Sequence, residues 1–298
     1  MIGMTAWPTP TILAAELLKV RKRWLPYVLL LFAVAGAAIL IWLGGFGSWH
    51  DERNDPEFGF GQASLRTFSL PWSIPALLDT GQFWGAILVG ILTASVVATE
   101  HSWGTVRQAL IRGQSRSQYL ATKILGIAIV ATVSLLLAFG VGVVFSIIAT
   151  ALADRPITLD VPGGPSVPDV GLMVLRAAYG ILPYGLLAFC LTVVGRSTAL
   201  GLAGTMVYMF GEAIIVAILE GIGGVAADLR PFVLGHNVSA LLAANRIGLG
   251  DYNSIAPREL PAASELPDPG IAALVVGLYC LGLLAIAFVV FNRRDVHA

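Results

Sequence analysis

The chain has 298 residues, of which 57% are hydrophobic and 12% are charged, and its formal net charge is zero. Soluble domains carry about 25% charged residues, so this chain has too little charge to cover globular surfaces of its size. The composition excludes a soluble enzyme, a disordered chain and a disulfide-stabilised scaffold. It predicts an all-α polytopic membrane protein.

The first predicted element is an amphipathic helix over residues 9–24. Its apolar side chains recur at helical spacing on one face: Leu13, Leu17, Val20 and Trp24. Glu16 and Lys19 are expected to flank this stripe, and such a helix can rest at the lipid headgroups. The alternative is an ordinary solvated segment that leads into the membrane.

Six long apolar runs follow, since a hydrocarbon core about 30 Å thick needs about 20 apolar residues. The predicted spans are residues 25–44, 83–99, 124–152, 171–194, 198–219 and 270–291. The third is too long for a simple crossing and must tilt or project from the bilayer. We therefore expect one transmembrane domain over residues 1–298.

The distribution of charge predicts which way the spans face. With both termini in the cytoplasm, the inner segments hold 11 of the 18 Lys and Arg residues and three of the 18 acidic residues. Because Lys and Arg near span ends favour the inner side, we expect cytoplasmic termini in the cell membrane. The last outer segment, residues 220–269, contains an apolar stretch at 231–244 that can form short re-entrant helices.

The segment between the second and third spans reads EHSWGTVRQALIRGQSRSQYLATK over residues 100–123. Gly104 allows a turn, TVRQALI can form two helical turns, Gly113 suits a left-handed stop, and Ser117 can cap the third span. The resulting helix would leave three arginines free for an acidic or phosphate-bearing partner: Arg107, Arg112 and Arg116. The alternative is a basic loop that only sets topology.

This segment resembles the membrane subunit of ABC exporters of the type-2 permease family. The resemblance is carried by Glu100, Gly104, Thr105, Arg107, Leu110, Ser115, Arg116 and Lys123. Six spans, cytoplasmic termini, an N-terminal amphipathic helix and a long last outer loop also match the family. The chain departs from the family pattern at Gly113, where proline is common.

The resemblance implies that residues 101–116 form a coupling helix that docks on a separate ATPase subunit. The residues implied in coupling are Glu100, Gly104, Thr105, Arg107, Leu110, Arg112 and Arg116. Two ATPase copies would bind ATP and Mg, and a second permease subunit, identical or different, would pair with this chain. The sequence contains no GxxxxGK[ST] phosphate-binding motif, so we expect a non-catalytic chain without a cofactor or metal of its own.

Polar residues inside the spans are candidates for function. Thr205, Tyr208 and Glu212 share one face of the fifth span and are expected to line a translocation passage. Arg176 in the fourth span lies at a similar depth to Glu212, which suggests an intramembrane ion pair. The alternatives are a protonated Glu212 in the passage, or a rotated helix in which each residue has other partners.

The leading interpretation is thus a permease subunit that exports an amphipathic or hydrophobic substrate. The second is an intramembrane or lipid-modifying enzyme that uses Glu212, Arg176 and His236 near the outer leaflet. The third is a scaffold or sensor subunit without transport. The four histidines share no metal-ligand spacing, so His236 is expected to be a lone solvated side chain.

Overall fold

The computed structural model describes residues 10–54, 61–103, 105–111, 113–159, 164–222, 229–245 and 266–293. Within these ranges the regular elements are all helical. In chain order they are α1 (Pro10–Arg21), α2 (Leu25–Ala38), a π-helical segment (Ile39–Gly47), α3 (Ser48–Asn54), α4 (Gly61–Phe68), α5 (Ser73–Ser102), α6 (Thr105–Ile111), α7 (Arg116–Leu152), α8 (Val167–Gly195), α9 (Thr198–Ile222), α10 (Leu234–Ala243) and α11 (Pro269–Arg293).

Six of the described helical stretches are long and apolar enough to cross a membrane. They are Leu25–Asp51, Ser73–Glu100, Arg116–Leu152, Val167–Gly195, Thr198–Leu219 and Pro269–Arg293. Each predicted span falls on one of them, which confirms the all-α, six-helix, multi-pass architecture.

Two helices begin well before the predicted spans, because hydropathy marks membrane depth rather than the end of a helix. α5 starts at Ser73, and α7 starts at Arg116. The N-cap of α7 is Ser115, whose hydroxyl accepts a hydrogen bond from the Gln118 N–H at 3.2 Å, so the prediction of Ser117 was wrong. With 37 residues at about 1.5 Å each, α7 is about 55 Å long and exceeds the hydrocarbon core.

α8 is the central helix of the bundle and packs against α5, α9 and α11. A capping box between Ser166 and Asp169 begins it, and Arg196 in the left-handed conformation ends it. Thr198 then starts α9, so α8 and α9 form a tight hairpin, in agreement with the three-residue gap between the predicted spans 171–194 and 198–219. Pro183 lies inside α8 and is buried.

Apolar cores form towards each end of the bundle. One joins α5, α8, α10 and α11 through residues such as Leu78, Ala177 and Val238. The other joins α1, α5, α6, α7, α8 and α11 through residues such as Val20 and Phe189. We call these ends the α10 side and the α1 side.

The predicted short helix in the last outer segment is present as α10. Leu234, Val238 and Leu241 are buried on it and pack with residues of α8 and α11. Residues 246–265 of the same segment lie outside the described residues. α10 is therefore part of the bundle, and its ends meet polar side chains of the spans.

Candidate functional site

Five side chains from α1, α5 and α7 form a charge cluster on the α1 side: Glu16, Lys19, Glu100, Tyr119 and Lys123. Glu16, Glu100 and Lys123 are 5%, 3% and 2% exposed. The Lys123 ammonium contacts Oε1 of both Glu16 and Glu100. One lysine therefore joins the N-terminal helix to the end of the second span and the start of the third.

Two further groups complete the charge cluster. The Tyr119 hydroxyl donates a hydrogen bond to Oε2 of Glu100 at 2.6 Å, and its ring stacks on Phe291 with centroids 5.7 Å apart. Lys19 Nζ lies 3.4 Å from Oε2 of Glu16 and 3.8 Å from Oε1 of Glu100, but its side chain is 57% exposed.

The electrostatics of this cluster depend on Lys123. Two carboxylates and two ammonium groups balance formally, yet Lys19 is largely in contact with solvent and contributes little. Desolvation of the two buried acids is offset by close contact with Lys123 and by the Tyr119 hydroxyl. The arrangement can hold three helices at one point, and removal of Lys123 would leave two buried carboxylates together.

The contact between Glu16, Glu100 and Lys123 was not predicted from the sequence. The prediction that Glu16 flanks the apolar stripe of α1 is wrong, since Glu16 is buried while Trp24 is 77% exposed. α1 ends at Arg21, so Trp24 falls outside the helical register. The missed signal was that Glu16 stands four residues before buried Val20, on the same helix face.

The predicted coupling helix corresponds to α6, a seven-residue helix between α5 and α7. The Thr105 hydroxyl donates to the Glu100 carbonyl at 3.2 Å. Val106 is buried and Leu110 packs beside it in the α1-side core. Gly113 follows with φ of 89°, the left-handed conformation expected of a helix stop. Gly104, Arg112 and the side chain of Arg107 lie outside the described residues.

The Arg116 side chain was expected to be free for a partner, but it contacts α11. Its Nη1 donates to the carbonyls of Phe291 at 3.3 Å and Asn292 at 2.9 Å. The guanidinium thus binds carbonyls at the carboxyl end of α11, where positive charge is favoured. Arg116 therefore connects the third and sixth spans through hydrogen bonds within the chain.

The expected ion pair between Arg176 and Glu212 is not formed. Oε1 of Glu212 accepts hydrogen bonds from the Gly235 N–H at 2.8 Å and the Tyr208 hydroxyl at 3.3 Å. Arg176 Nη1 donates to the Ala244 carbonyl at 3.1 Å and to Oδ1 of Asn245 at 3.3 Å. Each residue has other partners, which was one of the alternatives.

The reason is the position of α10 between the two charges. Glu212 meets backbone N–H groups at the amino end of α10, and Arg176 meets a carbonyl just beyond its carboxyl end. Helix ends expose unpaired groups of matching partial charge. The fourth and fifth spans therefore hold α10 through both of its ends.

The three predicted passage residues are not equivalent. Tyr208 and Glu212 line a groove of about 530 Å³, together with residues of α9, α11 and the chain before α10. We call it the α9–α10 groove. Thr205 is fully buried, and its hydroxyl donates to the Gly201 carbonyl at 2.7 Å. Thr205 therefore packs between helices and is not among the residues that line the groove.

His236 is 4% exposed on α10, so the expectation of a solvated side chain was wrong. The expectation rested on the position of His236 outside the six spans, and packing of α10 against the spans explains the burial. Within the described ranges, no group of three or more His, Cys, Asp and Glu side chains is placed to hold a metal ion.

The sequence profile of a protein family of unknown function, DUF2705, matches residues 83–297. The match covers more than half of the chain, which therefore belongs to that family. No curated protein matches the chain.

Proposed function

We propose that this DUF2705 chain is the membrane-spanning permease subunit of an ATP-driven exporter of an amphipathic or hydrophobic substrate. In this proposal the chain is not catalytic. Two ATPase subunits bind ATP and Mg and dock on α6, and a second permease subunit pairs with this chain. Both termini face the cytoplasm of a cell membrane.

The observation that carries the proposal is the charge cluster, whose residues on α5 and α7 flank α6 in the chain. α6 packs on α5 and α7, and Lys123 ties these two helices to each other and to α1. A displacement of α6 would move the second and third spans as a rigid body, because the buried contacts of Lys123 hold these helices together. A basic loop that only sets topology would not need such an anchor.

The exposed surface of α6 also supports a docked partner. Ile111 is 75% exposed at the end of α6, and Trp103, just before it, is 69% exposed. Two large apolar side chains on the α1 side, close in sequence to Arg107 and Arg112, suit the edge of a protein interface. The Arg23 guanidinium lies 5.8 Å from the Trp103 ring centroid, which connects the end of α1 to this surface.

The decisive experiment is co-purification with charge reversal at α6. The tagged chain is purified from its native membrane, and any partner is identified by its sequence and by ATP hydrolysis. The variant Arg107→Glu with Arg112→Glu should lose both the partner and the hydrolysis, because opposite charge at the interface repels the docking groove. Arg155→Glu, at an exposed position beyond the other end of α7, is the matched control and should keep both.

Three results would count against the proposal. A partner without a phosphate-binding motif would indicate a scaffold or sensor subunit. An ATPase that remains bound to the doubly reversed variant would show that it docks elsewhere. Turnover of a lipid or peptide by the isolated chain, lost in Glu212→Gln, would indicate the intramembrane enzyme.

A further inference from the structure

The α9–α10 groove has one charged group in otherwise apolar surroundings. Glu212 is the only acidic or basic residue among the eight described residues that line it. Val207 and Ile215 supply aliphatic walls, and Tyr208, Phe232 and Tyr279 supply rings. A volume of about 530 Å³ lies within the range of pockets that hold small organic molecules.

The carboxylate of Glu212 is held in place but forms no ion pair with a Lys or Arg side chain in the described part of the chain. The side chain is 7% exposed. Its Oε1 accepts from the Gly235 N–H and the Tyr208 hydroxyl, contacts that orient a carboxylate. The described Lys and Arg side chains form no ion pair with it within 4.0 Å, and Arg176 is engaged at the far end of α10.

The surrounding residues fit a cation rather than a neutral ligand. A negative charge in a poorly solvated groove attracts a positive one strongly, and ring faces within reach add cation–π attraction. The Tyr279 hydroxyl donates to the Phe232 backbone carbonyl at 2.9 Å, which holds the Tyr279 ring against the chain before α10. The aliphatic walls can cover an apolar body beside the charge.

The same residues disfavour an aminophospholipid as the source of that cation. Its ammonium is accompanied by a phosphate a few bonds away, and a bound phosphate calls for Arg, Lys or several backbone N–H groups. The eight described lining residues include neither Lys nor Arg, and the Gly235 N–H is already used by Glu212.

We propose that the α9–α10 groove binds a lipophilic organic cation, with the charged centre at Glu212 and the apolar body against Val207, Ile215 and Phe232. As the cargo class of an exporter, this cation rests on the function proposed above. Binding itself does not, and it is measured on the purified chain without ATP.

The probe is tetraphenylphosphonium, and triphenylphosphine oxide is the neutral analogue of similar shape. Equilibrium dialysis of the full chain in a non-ionic maltoside, corrected with empty micelles, gives both dissociation constants. We expect the cation to bind about tenfold or more tightly than the neutral analogue. Glu212→Gln should remove most of this preference, since Gln retains an oxygen for the Gly235 N–H but has no charge.

Two variants separate binding from folding. Ile215→Trp fills the groove from an exposed position and should abolish binding while Glu212 is intact. Asp154→Asn removes a carboxylate at an exposed site beyond α7 and should bind like the wild type. Elution volume and thermal unfolding in the same detergent establish that each variant is folded.

Equal affinity for the cation and the neutral analogue, or unchanged affinity in Glu212→Gln, would overturn the proposal. Displacement of the probe by phosphatidylethanolamine at equimolar concentration would assign the groove to lipid instead. If the folded chain binds the cation but no ATPase co-purifies with it, the exporter proposal fails and the binding site stands. If an ATPase co-purifies with a chain that does not bind the cation, the binding site fails and the exporter proposal stands.

Discussion

Lys123 holds the charge cluster together, and its loss should be costly. Lys123→Met keeps the length of the side chain but leaves the carboxylates of Glu16 and Glu100 buried without their shared cation. Removing one partner of a buried pair costs about 3–5 kcal/mol, so we expect a loss of that order in the free energy of unfolding. Titration with sodium dodecyl sulfate in mixed micelles measures it.

Lys19→Met provides the matched control, because the same change removes an ammonium that contacts the same two carboxylates from an exposed position. Exposed ion pairs contribute about 0–1 kcal/mol, so this variant should unfold close to the wild type. Equal losses in the two variants would show that burial of Lys123 is not what stabilises the cluster.

At the residue scale, the sequence indicated which polar residues are important but not which side chains they contact. Glu100 and Lys123 stood out as the flanks of one segment, but a polar residue within an amphipathic helix does not reveal what it faces. Glu16 meets Lys123 only because α1 packs back on α7, which is a tertiary contact. The same limit explains Arg176 and Glu212: a short helix over residues 231–244 was predicted, but its position between these two side chains was not.

At the scale of single elements, the π-helical segment approaches the end of α4 closely at Gly45. A Cβ added at Gly45 would lie 2.8 Å from Cβ and 3.2 Å from the backbone nitrogen of Phe68, which is fully buried. These atoms belong to the last residue of α4 and cannot move without that helix. Gly45→Ala should therefore lower the apparent unfolding temperature, with a cost of about 1–3 kcal/mol from overpacking.

Gly36→Ala, in α2, is the control for the Gly45→Ala substitution. A Cβ there would have no neighbour within 4 Å, and alanine is favoured over glycine in helices by up to about 1 kcal/mol. This variant should be as stable as the wild type or slightly more so. A loss at Gly36 equal to that at Gly45 would contradict the close approach to Phe68.

Helix boundaries show which elements a sequence defines locally. Gly113 ends α6 as expected because only backbone conformation is involved, and the hairpin at Arg196 follows from a polar break between two apolar runs. The early start of α5 could not be predicted, since its first turns contain Asp79 and Gln82 and owe their helical state to packing. The hydroxyls of Ser73 and Ser146 lie 2.6 Å apart there, buried between α5 and α7.

At the scale of the whole molecule, hydropathy was sufficient for the number of spans, and charge gives a testable orientation. Lys22 precedes the first span and Arg155 follows the third, and both are exposed. In a chain whose native cysteines, Cys190 and Cys280, are replaced by Ala, Lys22→Cys should react with a membrane-impermeant maleimide only in inverted vesicles. Arg155→Cys should react in intact cells.

The reverse pattern would place both termini outside and would remove α6 from the cytoplasm. Labelling of both positions from one side would contradict an odd number of crossings between them. The pairing of spans across a dimer has no comparable signature in one sequence, because exposed apolar faces such as Val207 and Ile214 on α9 suit lipid as well as protein.

The contact between Glu16 and Lys123 also has a bearing on biosynthesis. The two residues are separated by 107 positions, so at about 5–20 residues per second the ribosome needs roughly 5–20 s to make the second after the first. During that interval Glu16 lacks Lys123 and can pair only with the exposed Lys19 of its own helix, and two spans have already been made. The nascent chain must therefore keep Glu16 in water, or with a chaperone or translocase, until the third span arrives.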